Sequence, residues 1–346
     1  MTTKFEDFLD KFDENSWLKS LNDLLSTIHE VDRNATQIWF RFYPLALFNF
    51  LQLAEDKAVA VQKFVMQGNY ELKNQIDSSH KFLYGHRFWK SVKDEIINRA
   101  ETYNGENADL TIEIKQIAKA VADKLKVSEP LIVGIAAIGL MTLKQVGFDA
   151  FKNAAGDVTA PQGLMKKSPE QIVKERAKDN SQGLLGFLKT IDKQWTVRYD
   201  ESKENGKFKL TDDEEIASGA ARDQTQNWLA QDARCGEGVI PVECRSAACG
   251  TCWIGILSGA EKLSDVDTRE RKQMKIFGYN QGDAPKPFLR LACQARANGA
   301  VSIVIPPWNG VFGKKIYGNV EDVELEPATT SAAKLRETIA GAVENR

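Results

Sequence analysis

The first part of the chain carries hydrophobic residues at the spacing of helices. From Phe5 to Ile28 they recur every three or four residues, which places them on one face of a helix. Further segments that we expect to be helical cover residues 36–53, 56–67, 69–100, 110–126 and 131–151. Asn34 is a candidate N-cap for the helix over residues 36–53. The pattern predicts an all-helical domain over residues 1–155.

The pattern changes after residue 155. Residues 156–192 contain the Pro, Gly and Ser of a connector, and we expect a linker with short helices there. From Lys193 the apolar period becomes two, which indicates strands. We expect strands over residues 195–199, 208–210, 253–257, 288–294 and 301–305, and helices over 223–233 and 268–277. The fold class is therefore predicted as α+β, with a small domain at 193–310 and a tail at 311–346 that ends in a polar helix.

Composition and charge narrow the classes of partner. Lys and Arg number 46 and Asp and Glu 48, so the net charge of -2 gives no indication of a nucleic-acid partner. The longest uncharged apolar run, Leu131–Leu143, is shorter than the roughly 20 residues of a membrane span. No secretory signal is recognisable, so we expect a cytoplasmic protein. The apolar segment Ile38–Leu53 is either a buried helix or a surface for a partner, for self-association or for peripheral contact with a membrane complex.

Histidines are few. The chain has His29, His80 and His86. A continuous helix would place His80 and His86 about 120° apart, too far round for a shared ligand site. Gly85 lies between them and permits a bend that would bring them together. We expect core or surface histidines, with a haem or pigment site as the alternative.

Five cysteines cluster in the last third of the chain: Cys235, Cys244, Cys249, Cys252 and Cys293. An odd number in one region of a large chain favours metal or redox chemistry over a disulfide framework. Three of them form a C-x4-C-x2-C motif, and 40 residues separate its last cysteine from Cys293. Zinc sites usually pair two C-x2-C motifs, and only one is present. Most residues between these three cysteines are small, so the backbone can come close to whatever the cysteines bind.

These residues resemble the plant-type [2Fe–2S] ferredoxin family, which has this cysteine spacing. The resemblance covers about residues 193–307 and rests on PVECRSAACGTC, the following GILSG and RLACQ. It implies a β-grasp fold and a [2Fe–2S] cluster held by Cys244, Cys249, Cys252 and Cys293. Arg245 stands where the family usually has Arg after its first ligand. Ala247 departs from a position that is Gly in many members, and the segment between Cys252 and Cys293 is long for the family.

The same resemblance implies one-electron transfer, as a carrier or as the electron-input subunit of a larger redox system. Its partners would be a reductase or an electron-accepting enzyme. The helical domain lies outside the resemblance and is not needed to hold a cluster, so we expect it to dock such a partner. No dinucleotide-binding motif or nucleophile–base motif is recognisable, so we expect no enzyme activity. The alternative function is a redox sensor or scaffold whose cluster state controls partner binding. Cys235 is expected to be a packed free thiol, with a role as a substitute ligand left open.

Overall fold

The chain divides into two compact units. The computed structural model describes residues 3–43, 45–63, 71–105, 109–178, 193–232, 234–279, 284 and 286–306. One unit comprises Met1–Gln52 and Glu71–Lys174, and the other comprises Leu53–Tyr70 and Glu175–Arg346. The predicted boundaries at residues 155, 192 and 310 remain predictions, and the predicted tail at 311–346 lies outside the described residues.

The first unit is helical. Its helices are α1 (Lys4–Leu9), α2 (Glu14–Leu24), α3 (Glu30–Phe42), α4 (Leu45–Leu53), α6 (Trp89–Thr102), α7 (Leu110–Leu125), α8 (Pro130–Val146) and α9 (Phe148–Asn153). Helix α5 (Lys57–Lys63) belongs to the second unit, and α10 (Pro169–Ala177) crosses the boundary between them.

Helix α8 forms the centre of the helical unit. It begins with Pro130 in its first turn, where a missing N–H costs nothing, and it ends at Gly147 with φ +82°. Helices α3, α6 and α7 pack around it, and its residues from Ile132 to Leu143 are all buried. Gly139 permits close packing, because a β-carbon there would lie 2.5 Å from Cδ1 of Ile96. Among the described residues, no helix is both long and apolar enough to cross a membrane.

The structure corrects several predicted helix boundaries in this unit. Residues 36–53 divide between α3 and α4, and residues 131–151 divide between α8 and α9 at Gly147. Helix α3 begins at Glu30, where the backbone N–H of Val31 donates to Nδ1 of His29, so Asn34 is inside the helix and is not its cap. Residues 69–100 do not form one helix, because 3-10 turns at Leu72–Gln75 and Tyr84–Phe88 precede α6. The buried carboxylate of Asp32 accepts hydrogen bonds of 2.7 Å from the backbone N–H groups of Tyr84 and Gly85, which favours the turn over a continuous helix.

This non-helical segment brings His80 and His86 together, with ring centroids 5.0 Å apart. Both side chains are buried, and the ring of His80 also packs on Trp89. The backbone N–H of Thr159 donates to Nε2 of His86 at 3.1 Å. Burial lowers the pKa of His86 to about 4 and the pKa of His80 well below its ordinary value. The pair is therefore part of the neutral core at physiological pH.

The second unit contains a mixed sheet. Its strands are β1 (Gln194–Arg198), β2 (Lys207–Thr211), β3 (Glu214–Glu215), β4 (Trp253–Ser258), β5 (Leu289–Leu291), β6 (Arg296–Ala297) and β7 (Val301–Val304). Five of them form one sheet in the order β2-β1-β7-β4-β5, and β3 pairs with β6. Strands β1 and β7 are parallel, whereas the other pairs are antiparallel. This sheet and the helical unit together confirm the predicted α+β class.

Three short helices accompany the sheet: α11 (Ile216–Arg222), α12 (Trp228–Gln231) and α13 (Thr268–Ile276). Helix α13 matches the prediction for residues 268–277. The helix predicted over 223–233 is wrong, because α11 ends before Asp223 and α12 is a single turn. The Asp223 carboxylate accepts from the N–H and hydroxyl of Thr225, and its carbonyl accepts from the Trp228 indole. These bonds turn the chain at that point.

Candidate functional site

Two neighbouring strands position the cysteines. Strand β4 begins at Trp253, directly after Cys252, and it pairs with β5 so that Trp253 lies opposite Leu291. The pairing continues beyond the strand ends, because the N–H of Ala292 donates to the carbonyl of Cys252 at 2.9 Å. Cys293 therefore lies beside the end of the loop that carries Cys244, Cys249 and Cys252. We call residues 244–252 the cysteine loop.

The thiols of Cys244, Cys249, Cys252 and Cys293 form two pairs. Cys244 and Cys249 share a hydrogen bond between their sulfurs, which lowers the pKa of Cys244 and raises that of Cys249. Cys252 and Cys293 share another, which raises the pKa of Cys252 and lowers that of Cys293. The pairs also act on each other electrostatically, Cys244 on Cys293 and Cys249 on Cys252. The structure thus brings all four together.

Cys235 stands apart from this group. Its thiol donates to the carbonyl of Val239 at 3.2 Å and is buried. Burial raises its pKa to about 11, and its charged neighbours among the described residues are Asp232 and Arg234. A thiol held in this protonated, packed state is a poor metal ligand.

Backbone and hydroxyl groups of the loop point at the sulfurs. The N–H groups of Ser246 and Cys249 lie 3.5 and 3.4 Å from Sγ of Cys244. The hydroxyl of Thr251 lies 3.1 Å from Sγ of Cys249. Such donors stabilise negative charge on sulfur, which a four-thiolate cluster carries in both oxidation states.

The loop achieves this conformation with positive φ angles at non-glycine residues. Arg245 has φ +52° and Ala247 has φ +65°. The backbone N–H of Ala247 donates toward the thiol of Cys293. Alanine at this position therefore adopts a left-handed conformation in which glycine would be unstrained.

The long segment between Cys252 and Cys293 supports the loop from the protein interior. Phe277, at the end of α13, packs against Gly250, where a β-carbon would lie 2.8 Å from its Cε2 atom. The ring of Phe277 also contacts Trp253 edge to face, with centroids 5.5 Å apart. Both aromatic residues are buried. No pattern in the sequence indicated this role for Phe277, because helix α13 lies between it and the motif.

Arg245 fixes the outer side of the loop. Its guanidinium pairs with the carboxylate of Glu237 at 2.6 Å and donates to the hydroxyl of Ser218 on α11 at 3.0 Å. The positive charge is thereby neutralised locally, and the loop is tied to the helix that packs on the sheet. The resemblance singled out Arg245, whereas nothing in the sequence indicated its two partners.

The donor set fits a [2Fe–2S] cluster. Such a cluster needs two thiolates per iron, and the thiols contact each other in two pairs, Cys244 with Cys249 and Cys252 with Cys293. Within the described part of the chain, no three His, Cys, Asp or Glu side chains are arranged around one point as a single metal ion requires. The two thiol pairs would supply the two thiolates that each iron of such a cluster needs.

Comparison with known proteins identifies the domain. The family described as the 2Fe-2S iron-sulfur cluster binding domain matches residues 212–298, which include the four cysteines of the two pairs. The match leaves the helical unit uncovered. No curated protein and no solved structure is detectably similar to the chain. Residues 212–298 are therefore similar to the 2Fe-2S iron-sulfur cluster binding domain, and the rest of the chain lies outside the match.

Proposed function

We propose that the protein transfers single electrons, as a carrier or as the electron-input subunit of a larger redox system. In this proposal Cys244, Cys249, Cys252 and Cys293 are the ligands of the cluster. The observation that carries the proposal is the exposure of the cysteine loop: Cys249 is partly accessible to solvent, whereas the other three thiols are buried. The site therefore has an open side at Cys249, where a redox partner can approach.

A bound [2Fe–2S] cluster supplies reversible storage of one electron. Residues of the chain would stabilise the negative charge that this electron adds. The N–H groups directed at Cys244 and Cys293 are hydrogen-bond donors to the sulfurs, and the buried rings of Phe277 and Trp253 keep water from the inner side of the loop. An interface limited to the open side suits the small, short-lived contacts of redox partners.

We propose no substrate conversion by the chain itself. Two buried carboxylates of the helical unit stabilise its fold: that of Glu113 pairs with Arg99, and that of Asp32 accepts hydrogen bonds from backbone N–H groups. The helical unit is then available to dock a partner, which we propose to be a reductase or an electron-accepting enzyme. A tethered second contact of this kind raises the local concentration of the cluster at that partner. A cytoplasmic location is part of the same proposal.

The test is repeated one-electron turnover. We expect dithionite-reduced protein to pass one electron per cluster to oxidised cytochrome c in stopped-flow mixing, and to retain its visible spectrum through several cycles. Loss of the cluster within the first cycle would rule out a carrier.

The redox-sensing alternative predicts that the helical unit changes its conformation when the cluster is reduced, whereas the carrier function does not. Hydrogen exchange of the helical unit (Met1–Gln52 and Glu71–Lys174) should be the same in the oxidised and reduced protein if the unit only docks a partner. A change in its protection with cluster state would favour the sensor. Because the two states are compared in one sample, incomplete cluster loading affects both equally.

A further inference from the structure

Gln294 follows the fourth cysteine and reaches back to the cysteine loop. Its side-chain Nε2 lies 3.3 Å from Sγ of Cys293, 2.8 Å from the carbonyl of Cys293 and 3.3 Å from the carbonyl of Arg245. The amide thus connects the two segments that carry the cysteines, the loop and the end of β5. The side chain is half-buried.

The chemistry of these neighbours fixes which end of the amide faces the sulfur. Carbonyl oxygens accept hydrogen bonds and cannot donate them, so the group beside the carbonyls of Arg245 and Cys293 must be the NH₂ end. The side-chain nitrogen is therefore also the atom beside Sγ of Cys293. Arg245, whose carbonyl accepts this bond on the cysteine loop, is itself held in place, because its guanidinium is hydrogen-bonded to Glu237 and Ser218.

We propose that Gln294 is a positioning residue that ties the fourth ligand to the cysteine loop and raises the reduction potential of the cluster. The proposal rests on the electron-transfer function proposed above and on Cys293 as a ligand. Reduction adds a negative charge that is shared with the sulfurs, and an N–H donor at Cys293 stabilises the reduced state more than the oxidised one. Removing the donor should make the cluster harder to reduce.

The primary test replaces the amide without changing the length of the side chain. Gln294→Met removes both N–H groups, and the reduction potential is measured by a spectroscopic titration of the full chain. Gln224→Met is the matched control, because Nε2 of Gln224 also bridges two carbonyls, those of Ala221 and Glu237, at 2.8 and 3.2 Å. The control thus loses the same kind of bridge between two backbone segments.

We expect Gln294→Met to lower the ratio of reduced to oxidised cluster roughly tenfold at a fixed poise, which is ~59 mV for one electron. Gln224→Met should leave the potential unchanged. An unchanged potential in Gln294→Met, with about two irons bound per chain, would overturn the proposal while leaving the electron-transfer function intact. A wild-type protein without a [2Fe–2S] cluster would overturn both.

A second variant decides the matter if Gln294→Met does not retain its cluster. Gln294→Glu keeps the length and places a titratable carboxyl beside Cys293. Its ionised form adds a negative charge and removes the donor, so the potential should fall as the pH rises through the carboxyl pKa. A potential equal to that of the wild type at every pH would contradict the proposed bond. As an independent readout, pulsed EPR of reduced protein with ¹⁵N in the glutamine side-chain amide should show a coupling that Gln294→Met lacks.

Discussion

A buried ion pair behind the fourth cysteine offers a sharp test of how the site is supported. Arg290, on β5, forms two bonds to the carboxylate of Glu270 on α13, at 2.9 and 2.8 Å. Both side chains are about 1% exposed. The same carboxylate accepts from the N–H of Leu291 at 2.8 Å, and Arg290 also donates to the carbonyl of Ser264. The pair therefore holds the strand that leads directly to Cys293.

The perturbation is Glu270→Gln, which keeps the shape of the side chain but removes the carboxylate charge that the buried Arg290 guanidinium contacts. Removing one partner of a buried pair costs about 3–5 kcal/mol, whereas breaking an exposed pair costs about 0–1 kcal/mol. Three kcal/mol multiplies the population of the locally opened state by more than ~100-fold, because each 1.4 kcal/mol is a factor of ten. The cluster should escape through that opening, since β5 positions Cys293.

The assay is the loss of visible absorbance at a fixed urea concentration. We expect Glu270→Gln to release the cluster at least ~100-fold faster than the wild type. Lys203→Ala, which breaks a pair with Asp200 in which the lysine is 66% exposed, is the control and should change the rate by less than about fivefold. If Glu270→Gln releases the cluster no faster than Lys203→Ala, the pair does not hold β5 and the reasoning is wrong.

Three further predictions concern individual positions. Ala247→Gly should relieve the positive φ and stabilise the cluster domain by roughly 1 kcal/mol, seen as slower cluster release in urea. Gly250→Ala should reduce cluster retention because its β-carbon meets Phe277, whereas Gly236→Ala, with no atom within 4 Å, should not; equal retention would contradict the packing. Acid should destabilise the helical unit between pH 6.5 and about 4, because the unfolded chain protonates His86 and His80 in that range and the folded chain protonates neither. His86 contributes roughly 3 kcal/mol of this loss, so His86→Gln should make the dependence of thermal stability on pH shallower while His80 keeps its share; an equally steep dependence in that variant would contradict the assignment.

The cysteine site could be predicted because its chemistry constrains the sequence locally. Three of the four proposed ligands lie within one short loop, so their spacing is visible in the sequence itself. The strands were partly predictable: residues 195–199 alternate between apolar and polar side chains, whereas residues 253–257 form a short apolar run that is buried on both faces. The spacing did not reveal the groups that support the site. The side chain of Gln294 donates to the carbonyl of Arg245, 49 residues earlier, and the ring of Phe277 packs against Gly250.

The helix boundaries were less predictable for a similar reason. Periodicity identified the helical unit, but the carboxylate of Asp32 decides where the chain between α5 and α6 turns. Helix α11 was missed because IASGAAR is short and made mostly of small residues. Its position is set by packing on β2, where a β-carbon at Gly219 would lie 3.0 Å from Leu210. Contacts between distant segments carry no periodic signal.

The most direct test of the central claim is the metal content of the anaerobically purified full chain and of its cysteine variants. We expect about two irons and two acid-labile sulfides per chain, and a spin-one-half EPR signal after reduction with dithionite. Replacing Cys244, Cys249, Cys252 or Cys293 by Ser should abolish or strongly alter that signal, whereas Cys235→Ala should preserve it. Stoichiometric zinc without visible absorbance, or a cluster that survives Cys293→Ser and is lost in Cys235→Ala, would contradict the account.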